Sequence, residues 1–218
     1  MKLAQYLVGL TAAALAAAAQ AALLEEGFND VSTLAGSGWV QTNNSAPAGS
    51  TGWFQGNAGV FASQAGASES YIAANYLNTD ANGGVIDNWL ISPTLSLGGS
   101  AVLTFYTRTA DPGFADTLEV RFSPGSSSDV SGFTMSLLTV GDVATPYPSS
   151  DWSSFSVALP SVSSGRFAFR YTVPDSFGAD YIGIDTVSVT AIPEPSTYAL
   201  MAFGLAGLAL GRRRQRAA

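Results

Sequence analysis

From Ala101 to Thr109 the chain reads AVLTFYTRT, and its side chains divide with a period of two. Val102, Thr104, Tyr106 and Arg108 fall on one face of an extended strand, and Leu103, Phe105 and Thr107 fall on the other. The stretch TLEVRFS groups Leu118, Val120 and Phe122 and leaves Glu119 and Arg121 to face water. The same alternation runs through WSSFSVALP, GRFAFRYTV (Phe167, Phe169, Tyr171) and YIGIDTVSVTA, where Ile182 and Ile184 give way to Val187 and Val189 after a change of phase. Shorter strand-like pieces precede them: LLEEGFND, GWVQTN, GWFQGN, GVFASQ, SYIAANY and NWLISPTLSL. No stretch between the two ends keeps apolar residues at i, i+3, i+4 and i+7 for three turns, and glycine, serine and proline interrupt the chain repeatedly. The pattern predicts ten to twelve strands in an all-β, jelly-roll-like β-sandwich, with no βαβ alternation and no internal repeat. The polar intervals 123–129 and 145–151 read as loops between strands rather than as domain boundaries.

The two ends of the 218-residue chain follow other rules. Met1 to Ala21 has one lysine, an apolar Leu/Ala/Val stretch and small residues at Ala19 and Ala21, the pattern of a helical secretory signal cut by signal peptidase. At the other end, Pro193, Glu194 and Pro195 form an extended linker that cannot continue a sheet. An uncharged run, Tyr198 to Leu210, follows, and then Arg212, Arg213, Arg214 and Arg216. Extended to Ser196 and Gly211, the run makes about 24 Å of helix at ~1.5 Å per residue, shorter than the ~30 Å hydrocarbon core of a bilayer. It is expected to cross as a short transmembrane helix with its arginines in the cytoplasm. The chain thus divides into a signal peptide (1–21), a β-sandwich (22–191) and a C-terminal segment (192–218).

Composition narrows the function. The chain has no cysteine and no histidine, which removes disulfides, thiolate chemistry, Ser-His triads and imidazole ligands. Residues 22–192 hold no lysine and only Arg108, Arg121, Arg166 and Arg170 against fifteen carboxylates. So acidic a domain repels phosphodiester backbones, and nucleic acid is not an expected partner. Neutral sugars and divalent cations are more compatible with it.

Two segments carry a resemblance. The order Pro193-Glu194-Pro195, short apolar helix, Arg212 to Arg214 resembles the PEP-CTERM sorting signal of Gram-negative bacteria. The resemblance implies recognition by an exosortase, cleavage near the Pro-Glu-Pro, an inner-membrane intermediate and delivery to the cell surface or medium. A permanent tail anchor is the other reading, but it has no physical need for a Pro-Glu-Pro at its outer end and would be longer. Within the sandwich, LLEEGFND, Trp39, Trp53, DNWLISPTLSL, LTFYTR, DTLEVRFS, FAFRYTV and YIGIDTVSV follow in an order that resembles the choice-of-anchor J domain, related to cleaved-adhesin and MAM-like jelly rolls. It implies an extracellular sandwich with a structural or adhesive role in exopolysaccharide or biofilm.

The candidate sites are sparse. Of the carboxylates, Glu26 lies on the first predicted strand, Asp185 on the last, and Asp30 and Asp116, with Asn29, at nearby strand or turn positions. Together they would suit Ca²⁺, which takes 6 to 8 oxygen ligands, and related jelly rolls hold a structural calcium between their first and last strands. The other reading of the four is as solvated or capping carboxylates. Trp39 and Trp53 are candidate sugar contacts for a carbohydrate-binding module that tethers polysaccharide, though buried packing is the commoner fate of tryptophan. Asp87 is expected to order a turn, with Trp89, Leu90 and Ile91 entering the core. A hydrolase is the remaining class, and it is disfavoured: there is no G-x-S-x-G, Lys2 leaves with the signal, and nothing singles out a catalytic carboxylate pair.

Overall fold

The computed structural model describes residues 22–80, 82–142, 146–147 and 150–192. The expected signal helix with Ala19 and Ala21, and the expected C-terminal segment with Pro193, Glu194, Pro195 and Arg212 to Arg214, lie outside the described residues. No described helix is long and apolar enough to cross a membrane.

Among the described residues the domain has ten strands: β1 (Ala22–Glu26), β2 (Val40–Asn43), β3 (Phe54–Gln55), β4 (Ile72–Asn75), β5 (Ile86–Ile91), β6 (Leu95–Thr109), β7 (Thr117–Pro124), β8 (Met135–Val140), β9 (Ser153–Val173) and β10 (Tyr181–Ala191). Short 3-10 turns are the only helical pieces among the described residues. Every strand pairing is antiparallel. One layer runs β9-β6-β10-β4-β3, with β1 beside the second half of β10. The other runs β2-β5-β9-β7-β8.

The 21-residue β9 joins the layers. Its first half pairs with β6, and from Gly165 onward it pairs with β7 and β5 instead. A Cβ at Gly165 would stand 2.1 Å from the Phe122 ring, so no larger residue can occupy the crossing point. The expected β-sandwich is therefore present, built as one hydrogen-bonded sheet folded over on itself.

The alternation read from β6 holds. Leu103 and Phe105 point inward and meet Leu118, Val120 and Phe122 of β7 and Phe167, Phe169 and Tyr171 of β9 in the main core. Phe105 packs edge-on against Phe169 at 4.9 Å between ring centroids, a favoured aromatic geometry. The phase change in β10 is a β-bulge: pairing with β6 slips between Asp185 and Ser188. The bulge lets Ile182, Ile184, Val187 and Val189 all reach the core.

Several expectations are corrected. GVFASQ is loop, because the chain after β3 leaves the sheet to cover its outer face. Leu90 enters the main core, but Trp89 and Ile91 occupy the opposite face of β5 and pack with Phe133 and Ala168. Consecutive strand residues cannot share a face. Asp87 does not order a turn: its Oδ1 accepts from Trp89 Nε1 (2.7 Å) and Arg170 Nε (2.6 Å). Glu119 and Arg121 are half-buried partners in the same outer-face network. Burial pushes the Glu119 carboxyl up, but Arg121 and Arg170 together hold it below the usual range.

Candidate functional site

The first and last strands lie side by side, with Glu26 opposite Val187. At their junction an open cleft of about 380 Å³ is lined by Glu26, Asn29, Gly66, Asp185 and Thr186 among others. Sequence and local structure explain each position. Asp185 follows Tyr181 and Gly183 on the outward phase of β10, where residues 57–70 fold over the sheet and close above it. It is fully buried. Its Oδ2 accepts from the N–H groups of Gln64 (2.8 Å) and Ala65 (3.1 Å), and its Oδ1 from the N–H of Thr186 (2.6 Å). The Thr186 hydroxyl donates to Gln64 Oε1 (2.7 Å), closing the ring of contacts. Burial raises the Asp185 carboxyl above its ordinary pKa, while these N–H bonds act in the opposite sense.

Backbone strain gathers here. Among the described residues Phe28 and Thr186 alone, apart from glycines, have positive φ, at 49° each. A β-branched threonine in that region is a marked outlier, and such a conformation costs about 1–3 kcal/mol. Thr186 sits in the bulge beside Asp185, and Phe28 ends the turn that Glu26 begins. Glu26 Oε1 accepts from the Phe28 N–H (2.8 Å), and the Phe28 carbonyl accepts from Gln55 Nε2 (2.9 Å). The strain is held by contacts on both sides of the cleft.

The structure brings Glu26 and Asp185 together but not the other two candidate ligands. Asp30 is exposed and caps the turn Val31–Ser37, its Oδ1 accepting from the Ser32 N–H (3.0 Å) and hydroxyl (2.6 Å). Asp116 does not line the cleft. It is buried on the core side, where Tyr171 and Thr109 donate hydroxyls at 2.6 and 3.0 Å and Asp180 donates its N–H at 3.0 Å. Among the described residues no three carboxylates gather as a metal cage. A cation at the cleft would take Glu26 and Asp185, with neutral oxygens such as the Asn29 amide and the carbonyls of Ala65 and Gly66. That all-oxygen set fits calcium, not zinc.

Trp39 and Trp53 are not placed to meet a sugar. They are 3% and 4% exposed and belong to the main core, Trp39 packing on Phe28 and Phe167 at 5.8 Å. Trp152 packs against the covering loop and donates Nε1–H to the Ala62 carbonyl (2.9 Å). Sequence reasoning placed Asn29 near these carboxylates but missed the 64–66 loop, because nothing local marks Gln64 and Ala65 as partners of Asp185.

Comparison with known proteins gives two matches of different extent. Residues 191–215 match the family described as the PEP-CTERM protein-sorting motif, and this range holds Pro193, Glu194, Pro195 and Arg212 to Arg214. No curated protein matches the chain. Among solved structures the chain is similar to the K1 cleaved adhesin domain of Lys-gingipain from Porphyromonas gingivalis W83, with 26% identity and a TM-score of 0.57 over 78% of this chain and 98% of that one. The K3 domain of the same protein gives 24% identity and a TM-score of 0.57 over 79% and 99%. The K2 domain gives 17% and 0.56 over 78% and 99%. The motif implies export and processing by exosortase. The chain thus carries a PEP-CTERM protein-sorting motif behind a β-sandwich with the cleaved-adhesin fold.

Proposed function

We propose that the protein is a non-catalytic surface or extracellular-matrix component, adhesive or structural in exopolysaccharide or biofilm, released from a transient membrane intermediate by exosortase. The match of residues 191–215 to the sorting motif carries the reading. The similarity of the sandwich to adhesin domains supports the adhesive part. Physically, the apolar run Tyr198 to Leu210 and the arginines behind it hold the C-terminus at the inner membrane, facing the cytoplasm. Cleavage near Pro195 then frees an acidic domain whose charge keeps it soluble and off anionic membrane surfaces. Mass spectrometry of the surface-exposed protein tests this. A C-terminus close to Pro195, lost in a strain without exosortase, supports the reading, and an intact tail to Ala218 in exosortase-competent cells overturns it.

Calcium belongs to the same reading, as a structural ion between Glu26 and Asp185. The strained Phe28 and Thr186 flanking these two carboxylates favour it. A cation there would tie the first strand to the last and offset the cost of burying Asp185. Calorimetric titration with Ca²⁺ and a melting temperature that falls on EDTA treatment are the expected results. No heat of binding and an unchanged melting temperature would remove the ion from the proposal.

A further inference from the structure

Two of the most exposed aromatic side chains stand over one cleft. Phe177 is 69% exposed and Tyr76 49% exposed. Both line an opening of about 240 Å³ together with Thr79, Asp80, Asn82 and Ser176. Leaving two large rings in water is unfavourable for folding, and the local structure holds them there. Tyr76 rides on the 3-10 turn Tyr76–Asn78, capped by Asn75, whose Oδ1 accepts from the Leu77 N–H (3.1 Å). Phe177 rides on the turn Ser176–Gly178, capped by Asp175, whose Oδ1 accepts from the Phe177 N–H (3.0 Å). The intervening loop is tied in: the Ser176 N–H donates to the Gly84 carbonyl (2.9 Å), and the Gly83 N–H donates to Ser176 Oγ (3.1 Å).

The polar lining selects the ligand. Asp80 and Asn82 are exposed at the rim, giving carboxylate and amide acceptors and amide donors beside the rings. Among the described residues no arginine lines the cleft; the four in the domain lie elsewhere, Arg121 and Arg170 in ion pairs, Arg166 on backbone carbonyls and Arg108 over Phe61. Asp80 within it, and Asp175 beside Gly83, make the region negative. Anionic ligands are therefore repelled. A flat, uncharged ring with one apolar face to stack and hydroxyls at its edge matches what remains. An ammonium head would instead call for a cage of several rings. The volume lies below the ~300–1,000 Å³ typical of drug-sized ligands, which suits one or two sugar rings at a chain end rather than a long polymer lying in a groove.

We infer that the cleft between Tyr76 and Phe177 binds the terminal one or two residues of a neutral glycan, with the two rings stacking on the sugar and Asp80 and Asn82 bonding its hydroxyls. It shares no lining residue with the Glu26–Asp185 cleft. The inference rests on the surface reading only for the glycan being extracellular. Processing of the tail and binding at the cleft are measured separately, so either can fail alone.

The test uses the full-length protein in a detergent without sugar headgroups, which keeps the apolar C-terminal run in solution. It is screened on an array of neutral mono- and oligosaccharides, sulfated and uronate glycans, and lysine-rich peptides, and hits are titrated by calorimetry. Binding of at least one neutral glycan is expected, about threefold to tenfold weaker in each of Tyr76→Ala and Phe177→Ala and retained in Phe177→Tyr, with melting temperatures unchanged because both side chains are exposed. Asp80→Asn weakens the same binding by replacing a carboxylate acceptor with an amide. The inference is overturned if no neutral glycan binds, if both alanine variants bind it like the parent, or if the substitutions abolish binding of lysine-rich peptides instead.

Discussion

Asp116 and Asp185 are both fully buried aspartates, but one is turned toward the core and the other toward the outer face of the sheet. Asp116 faces the core: Tyr171 and Thr109, its hydroxyl donors, are turned inward by β9 and β6. Asp185 faces outward under the covering loop, receives the main-chain N–H groups of Gln64, Ala65 and Thr186, and borders an open cleft beside a strained threonine. Side-chain hydroxyls around an enclosed carboxylate make a fixed brace between strands. A carboxylate held by the backbone at the edge of a cleft keeps lone pairs for a ligand. Burial alone does not separate the two; the source of the donors and the access to solvent do.

Substitutions sharpen the contrast. The largest effect is expected for Asp116→Ala, which strips the acceptor from the Tyr171 hydroxyl and the Asp180 N–H inside the protein. A loss of about 3 kcal/mol in chemical denaturation is expected, with no change in any calcium response. Asp185→Ala removes the acceptor for three N–H groups, but next to a cleft where water can replace it. Its cost is about 2 kcal/mol without added cation, and it abolishes stabilisation by Ca²⁺. Equal losses with an intact calcium response would erase the distinction.

Acidification gives a third, smaller effect. Burial raises the carboxyls of Asp116, Asp180 and Asp185 above the unfolded-chain value. The folded state then binds protons more readily than the unfolded one, so their contribution to stability is greatest below the ordinary aspartate pKa of about 3.9 and is lost as pH rises through the raised values. Glu119, held low after the opposing effect of its own burial, contributes in the opposite sense and is lost as pH falls through its depressed value. In EDTA the melting temperature should therefore rise as pH is lowered through the raised aspartate values, and the Glu119 contribution should be lost in stronger acid. On the calcium reading proposed above, saturating Ca²⁺ should shrink or reverse the rise, because protons would compete with the cation at Asp185. The smallest change is expected for Glu26→Gln: within about 1 kcal/mol without cation, since the amide oxygen can still accept from Phe28, but with a weakened calcium shift.

How much of this was legible depended on how local each cause is. Alternation in β6, β7 and β9 was readable because a strand exposes its period directly in sequence. The change of phase after Ile184 was readable as well, and it is the bulge that carries Asp185 and Thr186. The pairing of Glu26 with Asp185 could be anticipated from adjacent terminal strands. Asp116 was misplaced with them because a carboxylate near a strand end looks the same whether it turns toward the core or the surface. Trp39 and Trp53 were equally ambiguous: an indole can stack on sugar or fill a core, and only the packing of Phe28 and Phe167 around Trp39 decides.

Sequence alone carries the all-β class, the acidic character of residues 22–192, and the tripartite tail whose residues 191–215 match a sorting motif. These rest on period, charge and segment order, which survive without knowledge of contacts. Contacts between distant segments are what close loop residues 64–66 over Asp185, set Asp116 as a brace in the core, and put Tyr76 and Phe177 at one cleft. Each joins segments far apart in the chain, and burial and mutual distance follow from how the sheet folds over, which no local pattern encodes.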